Sequence, residues 1–347
     1  MGAVPSSAQP PSARPTLLVL LAAVCFGTTG TAQALAPDAA SPASVGAVRI
    51  VIGGTLLALV ALLSTRRLRR SGPWTTPLTD RGSLALVAVS VAGVVAYQPF
   101  FFAGVRSSGV AIGTLVALGS APLATGLLQW AVLRRAPGAR WFAATGVAVA
   151  GLLALSHGDS LFGGGLPHAL DPLGVIASVG AGASYAVYTI GSKGLLDRGW
   201  SPDLTMGAAF GGAAVVMALA LPWLPLAWLA STSGVGAAAF LGVVSTALAY
   251  VLFARGLRSL PASNVATLTL AEPLTAGLLG VLLLREPLTG IQVLGALLVA
   301  AGLMVLSLPD RTGAVRREGA VGPADAAESV NQQVSDMPEP VENGHTP

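Results

Sequence analysis

Two ionisable side chains, Arg49 and Glu272, stand deep inside apolar stretches of the sequence. Each is expensive in lipid unless it is paired or faces a cavity. Arg49 lies about six residues from the nearer end of its stretch, roughly 9 Å deep at a rise of 1.5 Å per residue. It either snorkels to the interface as an anchor or acts as a gate or substrate contact. Glu272 lies about ten residues in, too deep to snorkel easily. There it could bind a cationic group or carry a coupled proton. The plainer alternative is a protonated carboxyl bonded to a neighbouring helix. Pro273 follows it and removes a backbone donor, which frees a carbonyl for other partners. His157 and Asp203 fall at the ends of their stretches, close to water.

Uncharged polar residues extend the pattern. All four tyrosines (Tyr97, Tyr185, Tyr188, Tyr250) lie inside apolar stretches. A buried phenol needs a hydrogen-bond partner. All six tryptophans fall in loops or at stretch ends, as an aromatic belt requires. Ser184, Tyr188 and Ser192 recur at i, i+4, i+8, and Cys25, Thr28, Thr29 and Gln33 form a second stripe. Such stripes face protein or water, either lining a cavity or joining helices by hydrogen bonds. Gln98, between Tyr97 and Pro99, joins the cavity candidates. The candidate binding residues are therefore Thr28, Gln33, Tyr97, Gln98, Ser184, Tyr185, Tyr188, Tyr250 and Glu272, with Arg49 as gate or anchor.

Catalysis finds no support. The sequence holds no Cys-x-x-Cys, H-E-x-x-H, Walker A or G-x-S-x-G motif, and His157, His168 and His345 do not cluster. No metal, cofactor or ATP site is expected. The single mid-membrane acid lacks the second carboxylate of an acid/base pair, which disfavours a membrane-embedded enzyme acting on lipid.

The elements that must position these residues follow from composition. The chain has 347 residues, 53% hydrophobic and 10% charged, with mean hydropathy +0.74. A soluble domain carries about 25% charged residues. A membrane helix needs about 20 mostly apolar residues, and ten such segments are present: 16–35, 43–64, 83–104, 110–130, 141–157, 172–192, 203–221, 234–254, 262–284 and 290–308. From composition, residues 1–15 are expected to be a flexible N-terminal segment, 158–171 a linker, and 309–347 a polar, disordered cytoplasmic tail. The first span could pass for a signal peptide ending at Ala32-Gln33-Ala34, but it has a counterpart later in the chain.

With the N-terminus in the cytoplasm, every basic residue except Arg49, Arg106 and Arg285 falls on the cytoplasmic side. That asymmetry is the positive-inside rule. It calls for an even number of spans, with both termini inside. The run at 65–70 then reads as a flank to a span, with no nucleic-acid role.

The second half of the chain echoes the first. Pro122 and Pro273 are 151 residues apart. Leu-Arg-Arg at 133–135 and Leu-Arg-Glu at 284–286 share that offset, as do Gly151 and Gly302. Tyr97 matches Tyr250 with a small slip. Each copy holds five spans, and because five is odd the copies insert in opposite orientation. Inverted repeats of this kind place a site near the midplane, between the copies.

Two copies of a five-span unit, each with a Pro-Leu in its fourth span, resemble the EamA-type repeat of the drug/metabolite transporter superfamily. The turn LREPLTG (284–290) and the Gly295/Gly302 helix carry the same resemblance, which covers 16–157 and 172–308. Arg49 matches an arginine often found in the second span of that family, and Glu286 matches its acidic turn. The first copy departs, with Arg135 in that place. The resemblance implies alternating access around a cavity lined by spans one, three, four, six, eight and nine. The expectation is an all-α integral membrane protein of ten transmembrane helices in two inverted five-helix repeats. It would sit in the lipid bilayer of the cell membrane and move a small-molecule substrate, with Glu272 available for proton coupling. An amino acid or related amphiphile is expected as cargo, with export favoured; a multidrug exporter is the alternative.

Overall fold

A computed structural model describes residues 13–34, 36–37, 40–70, 80–157, 171–285 and 289–308. Residues 1–12, 158–170 and 309–347, together with Glu286, His168 and Trp74, lie outside the described residues, and so does the side chain of His157. The first repeat holds α1 (Arg14–Ala34), α2 (Pro42–Arg70), α3 (Arg81–Ser108), α4 (Val110–Leu133) and α5 (Ala139–His157). The second holds α6 (Pro172–Asp197), α7 (Pro202–Ala220), α8 (Thr232–Gly242), α9 (Ala249–Ser259), α10 (Ala262–Leu268), α11 (Ala271–Leu284) and α12 (Gly290–Ser307). Nine spans among the described residues are long and apolar enough to cross a membrane, and Ala139–Leu155 is a shorter apolar helix. The outward faces carry exposed Leu, Val and Met, for example Leu17, Leu282 and Met304. Serines and threonines such as Thr145 and Thr267 lie inside. This apolar-out arrangement suits a lipid surround.

Helix packing follows a two-fold pattern. Spans two and seven pair, as α2 with α7, and spans five and ten pair, as α5 with α12. The α6 helix packs on α3 and α4, and α1 packs on α9 and on α11. Exchanging the two copies maps the first two pairings onto themselves and the α6 pairings with α3 and α4 onto the α1 pairings with α9 and α11. The five-span repeat is thus expressed in the packing.

The 151-residue offset also reappears in backbone detail. Arg134 ends α4 at φ 55°, ψ 28°, and Arg285 ends α11 at φ 57°, ψ 31°. Among the described residues they are the two non-glycine residues with positive φ. In this left-handed cap the Arg134 N–H donates to Gln129 and the Arg285 N–H to Gly280, satisfying carbonyls the helix end leaves open. Gly151 serves a different need, which is close approach. A methyl group there would lie 2.5 Å from the Val299 nitrogen and 2.7 Å from the Gly295 carbonyl. The α5 and α12 backbones touch through these small residues, as membrane helices without a hydrophobic drive must.

Span ends are fixed locally. Asp80 caps α3 by accepting from the Ser83 N–H at 3.0 Å. Backbone donors at Gly82 and Ser83 hold its carboxyl below the usual carboxylate range. Two spans are irregular. The eighth, Thr232–Ser259, contains a π-helical stretch at Val243–Leu248. The ninth breaks between α10 and α11, just before Glu272. The carbonyl that Pro273 was expected to free is Thr269 O, and it is occupied, accepting from the Glu272 N–H at 2.9 Å. Tightening the turn by one residue restores the missing bond.

The aromatic-belt expectation needs correction. Trp130 and Trp223 are exposed, but Trp141, Trp200 and Trp228 are buried in protein. Gly199, at φ 86°, folds the chain back after α6 and tucks Trp200 beneath it.

Candidate functional site

A cavity of about 580 Å³ opens between the repeats on the face that carries the α1–α2 and α3–α4 connections. Its mouth is lined by Gln33, Pro42, Val45, Val105 and Thr114. A smaller chamber of about 70 Å³ lies deeper, walled by Tyr185, Tyr188, Phe210, Tyr250 and Thr269. Phe26, Thr29, Arg49, Tyr97, Gln98, Leu118 and Glu272 line both, and so form the neck between them.

Positions at the neck follow from the helices. Arg49 is in the second turn of α2, and Glu272 is in the first turn of α11 at the break in span nine. Tyr97 and Gln98 sit on α3 just before Pro99. The Tyr97 ring stacks on Phe101, centroids 5.5 Å apart.

The deeper chamber is an aromatic cage. The Tyr250 ring lies 3.9 Å from Phe210 and 5.0 Å from Phe26. The Tyr188 and Tyr250 hydroxyls are 3.3 Å apart. The Tyr185 hydroxyl lies 3.2 Å from Thr269 Oγ1, which itself donates to the Ala266 carbonyl at 2.8 Å. Three of the four phenols therefore have partners. At the neck the opposite holds. Among the described residues, the Tyr97 hydroxyl, the Gln98 amide, the Arg49 guanidinium and the Glu272 carboxyl make no hydrogen bond or ion pair, and Arg49 Nε is buried without a partner. Arg49 and Glu272 lie within each other's electrostatic reach, yet beyond the 4.0 Å of an ion pair.

The opposite face is sealed by a polar layer. Lys193, on α6 and buried, donates to the Leu257 carbonyl at 3.0 Å and the Arg258 carbonyl at 3.2 Å at the end of α9. It also pairs with Asp197 at 3.2 Å. The Ser263 N–H, on α10, donates to Gln129 Oε1 at 2.9 Å, and Trp141 Nε1 donates to the Ser263 carbonyl at 3.0 Å. The Thr145 and Thr267 hydroxyls meet at 2.8 Å. These bonds tie α4 and α5 of the first repeat to α10 of the second.

Of the residues singled out from sequence, Gln33, Arg49, Tyr97, Gln98, Tyr185, Tyr188, Tyr250 and Glu272 line this cavity system. Thr28 and Ser184 do not. The Thr28 hydroxyl donates to its own helix at Cys25 and lies 2.9 Å from Ser245 Oγ. Its neighbour Thr29 takes the cavity position. Ser184 donates to Gly180 O at 2.7 Å, where α6 crosses α3 closely at Gly93. The lining also includes spans two and seven, through Arg49, Ile50 and Phe210, beyond the six spans expected. Phe210 carried no polar signal that could have marked it. Thr269, three residues before Glu272, was findable as the polar residue at a proline-broken turn. Hydrophobicity alone ends this span at residue 192 and makes Lys193 a loop charge, but α6 runs on to Asp197.

Comparison with known proteins follows the same boundaries. Residues 14–157 and 172–308 match the model of the EamA-like transporter family. A Bacillus subtilis (strain 168) protein named uncharacterized transporter YwfM is 41% identical over 296 residues, covering 85% of this chain and 94% of its own. The threonine/homoserine exporter RhtA of Salmonella typhimurium (strain LT2) is 30% identical over 89% of this chain and 95% of its own. RhtA of Escherichia coli (strain K12) is 29% identical over 89% and 94%. A solved crystal structure superposes with a TM-score of 0.69 at 20% identity, over 85% of this chain and 98% of its own, and shares the fold.

Proposed function

The chain belongs to the EamA-like transporter family, and on that premise we propose that it is a secondary transporter exporting a small amino acid or a closely related amphiphile. It works by alternating access in the cell membrane, with both termini in the cytoplasm. The observation that carries this reading is the cavity at the repeat interface. It is open on one face, sealed by hydrogen bonds on the other, and ringed at its neck by unpaired polar side chains. A site between repeats, with a broken helix beside it, is what rocking of one repeat against the other requires. In the proposed orientation the open face is the outer one. The exporters named RhtA, at about 30% identity, support both the direction and the class of cargo.

No step of this reading needs catalysis, and the named relatives are transporters. The polar layer opens while the mouth closes, substrate enters from the cytoplasmic side and displaces water from the neck, and return to the outward-open state releases it. Glu272 is the residue best placed to carry a coupled proton, since it has no bonded partner to compete.

A metabolite comparison of medium from overexpressing and deletion cells tests the proposal. Enrichment of amino acids in the medium of overexpressing cells, reversed on deletion, is the result expected. Unchanged medium in both, with the protein present in the membrane, would overturn it. The roomy outer cavity also favours a second reading, a multidrug exporter, and a growth screen against cationic dyes separates the two.

A further inference from the structure

Arg49 and Glu272 carry opposite charges on the neck of one cavity, from different repeats, without touching each other. A charge removed from bulk water and left unpaired is costly, so a protein that keeps two such charges apart keeps them for something else. An amine in the neck would satisfy Glu272 and leave Arg49 unmatched. A carboxylate would do the reverse. A ligand bearing an ammonium and a carboxylate on one carbon satisfies both. The guanidinium fork of Arg49 suits a carboxylate, which it holds through two parallel N–H···O bonds. The Glu272 carboxylate accepts from an ammonium. The free Tyr97 hydroxyl and Gln98 amide stand beside them to take up the remaining donors and acceptors.

We propose that Arg49 and Glu272 together read the zwitterionic headgroup of a free amino acid, Arg49 taking the α-carboxylate and Glu272 the α-ammonium. The inference rests on the transport reading above and names the chemical feature that its cargo must have. The side chain is directed past the neck into the aromatic chamber. At about 70 Å³ that chamber holds only a short side chain. Its wall combines aromatic faces with the Thr269 and tyrosine hydroxyls, which suits a small side chain that carries a hydroxyl.

The test is competition against threonine counterflow in proteoliposomes of the full chain. Three competitors are used: unlabelled threonine, threonine methyl ester (no carboxylate) and N-acetylthreonine (no ammonium). Wild-type protein is expected to favour threonine over either derivative by about tenfold or more, the loss of one charge-assisted bond. In Arg49→Gln the gap between threonine and the ester closes while the gap to N-acetylthreonine remains. In Glu272→Gln the pattern reverses. Arg49→Lys, which restores charge without the fork, regains part of the preference. Melting temperatures in detergent verify that each variant is folded. Equal competition by all three compounds in wild type, or a parallel loss of all three in both variants, would overturn the zwitterion inference and leave transport standing. Absence of amino-acid counterflow in folded wild-type protein would instead overturn the amino-acid cargo itself, and the inference with it.

Discussion

Arg49 on α2 and Glu272 on α11 line the same neck from opposite repeats and, among the described residues, hold no partner, while the phenols just beyond them are bonded to one another or to Thr269. The cavity is therefore saturated at its floor and unsaturated at its waist. Satisfied polar groups give the cage its shape, and unsatisfied ones await something that brings its own donors and acceptors.

The adjacent pair Thr28 and Thr29 separates structure from binding. The Thr28 hydroxyl meets Ser245 across helices, and Thr29 lines the neck. Thr28→Val is expected to lower stability by about 0.6 kcal/mol, an average interhelical bond in a membrane protein, and to leave the KM for counterflow unchanged. Thr29→Val is expected to raise that KM without lowering the melting temperature. The opposite assignment in the two measurements would show that the cavity lining is misread.

Opening of the sealed face must break the Gln129 bond between the repeats and is expected to loosen the Lys193 bonds that close α6 on the end of α9. Lys193→Met and Gln129→Leu each remove a buried bonded group, and each is expected to shift the balance toward a state open on that face. For Lys193 the shift is about 2 kcal/mol. Spin labels on Ala139→Cys and Ser259→Cys, both at exposed positions near that face, report it in a Cys25→Ala background. A longer mean distance in both variants is expected; an unchanged distribution would remove these bonds from the gate.

Gly151 lies against the α12 backbone, whereas a methyl group at Gly146, five residues earlier on the same helix, meets nothing within 4 Å. Gly151→Ala is expected to destabilise the protein by about 2 kcal/mol, as overpacking does. Gly146→Ala should be neutral or slightly stabilising. Equal melting temperatures for the two variants would contradict the close α5–α12 crossing.

The left-handed cap at Arg285 is a position glycine fills more easily. Arg285→Gly is expected to raise stability by about 1 kcal/mol, the cost an L-residue bears in that region, and Arg285→Val to lower it. Chemical or thermal unfolding in detergent measures both. A loss on Arg285→Gly would mean that the arginine side chain contributes something its backbone strain conceals.

Much of this is legible in the sequence. The 151-residue offset marked Pro122 and Pro273, and the same register holds Arg134 against Arg285 in backbone angles. Arg49, Glu272 and the tyrosines stood out because polar atoms in apolar helices are expensive wherever they are. What stayed hidden depends on rotation and pairing. Thr28 and Thr29 differ by about 100° around α1, and sequence does not say which of two adjacent threonines meets a neighbouring helix. Phe210 is one apolar residue among many in its span, and only its neighbours Tyr188 and Tyr250 make it a cavity wall. Residue type alone places Trp200 and Trp228 at the membrane interface, but a local turn and the Val45/Val48 cluster bury them. The π-helical stretch in span eight leaves no mark on hydrophobic periodicity.

The central claim is that cargo crosses through the neck between Arg49 and Glu272. Counterflow of labelled threonine into threonine-loaded proteoliposomes measures this directly. Saturable flux well above protein-free liposomes is the expected result, with flux at low threonine reduced about tenfold but still measurable in folded Arg49→Gln and Glu272→Gln proteins. Flux in both folded variants equal to that of wild type would contradict it.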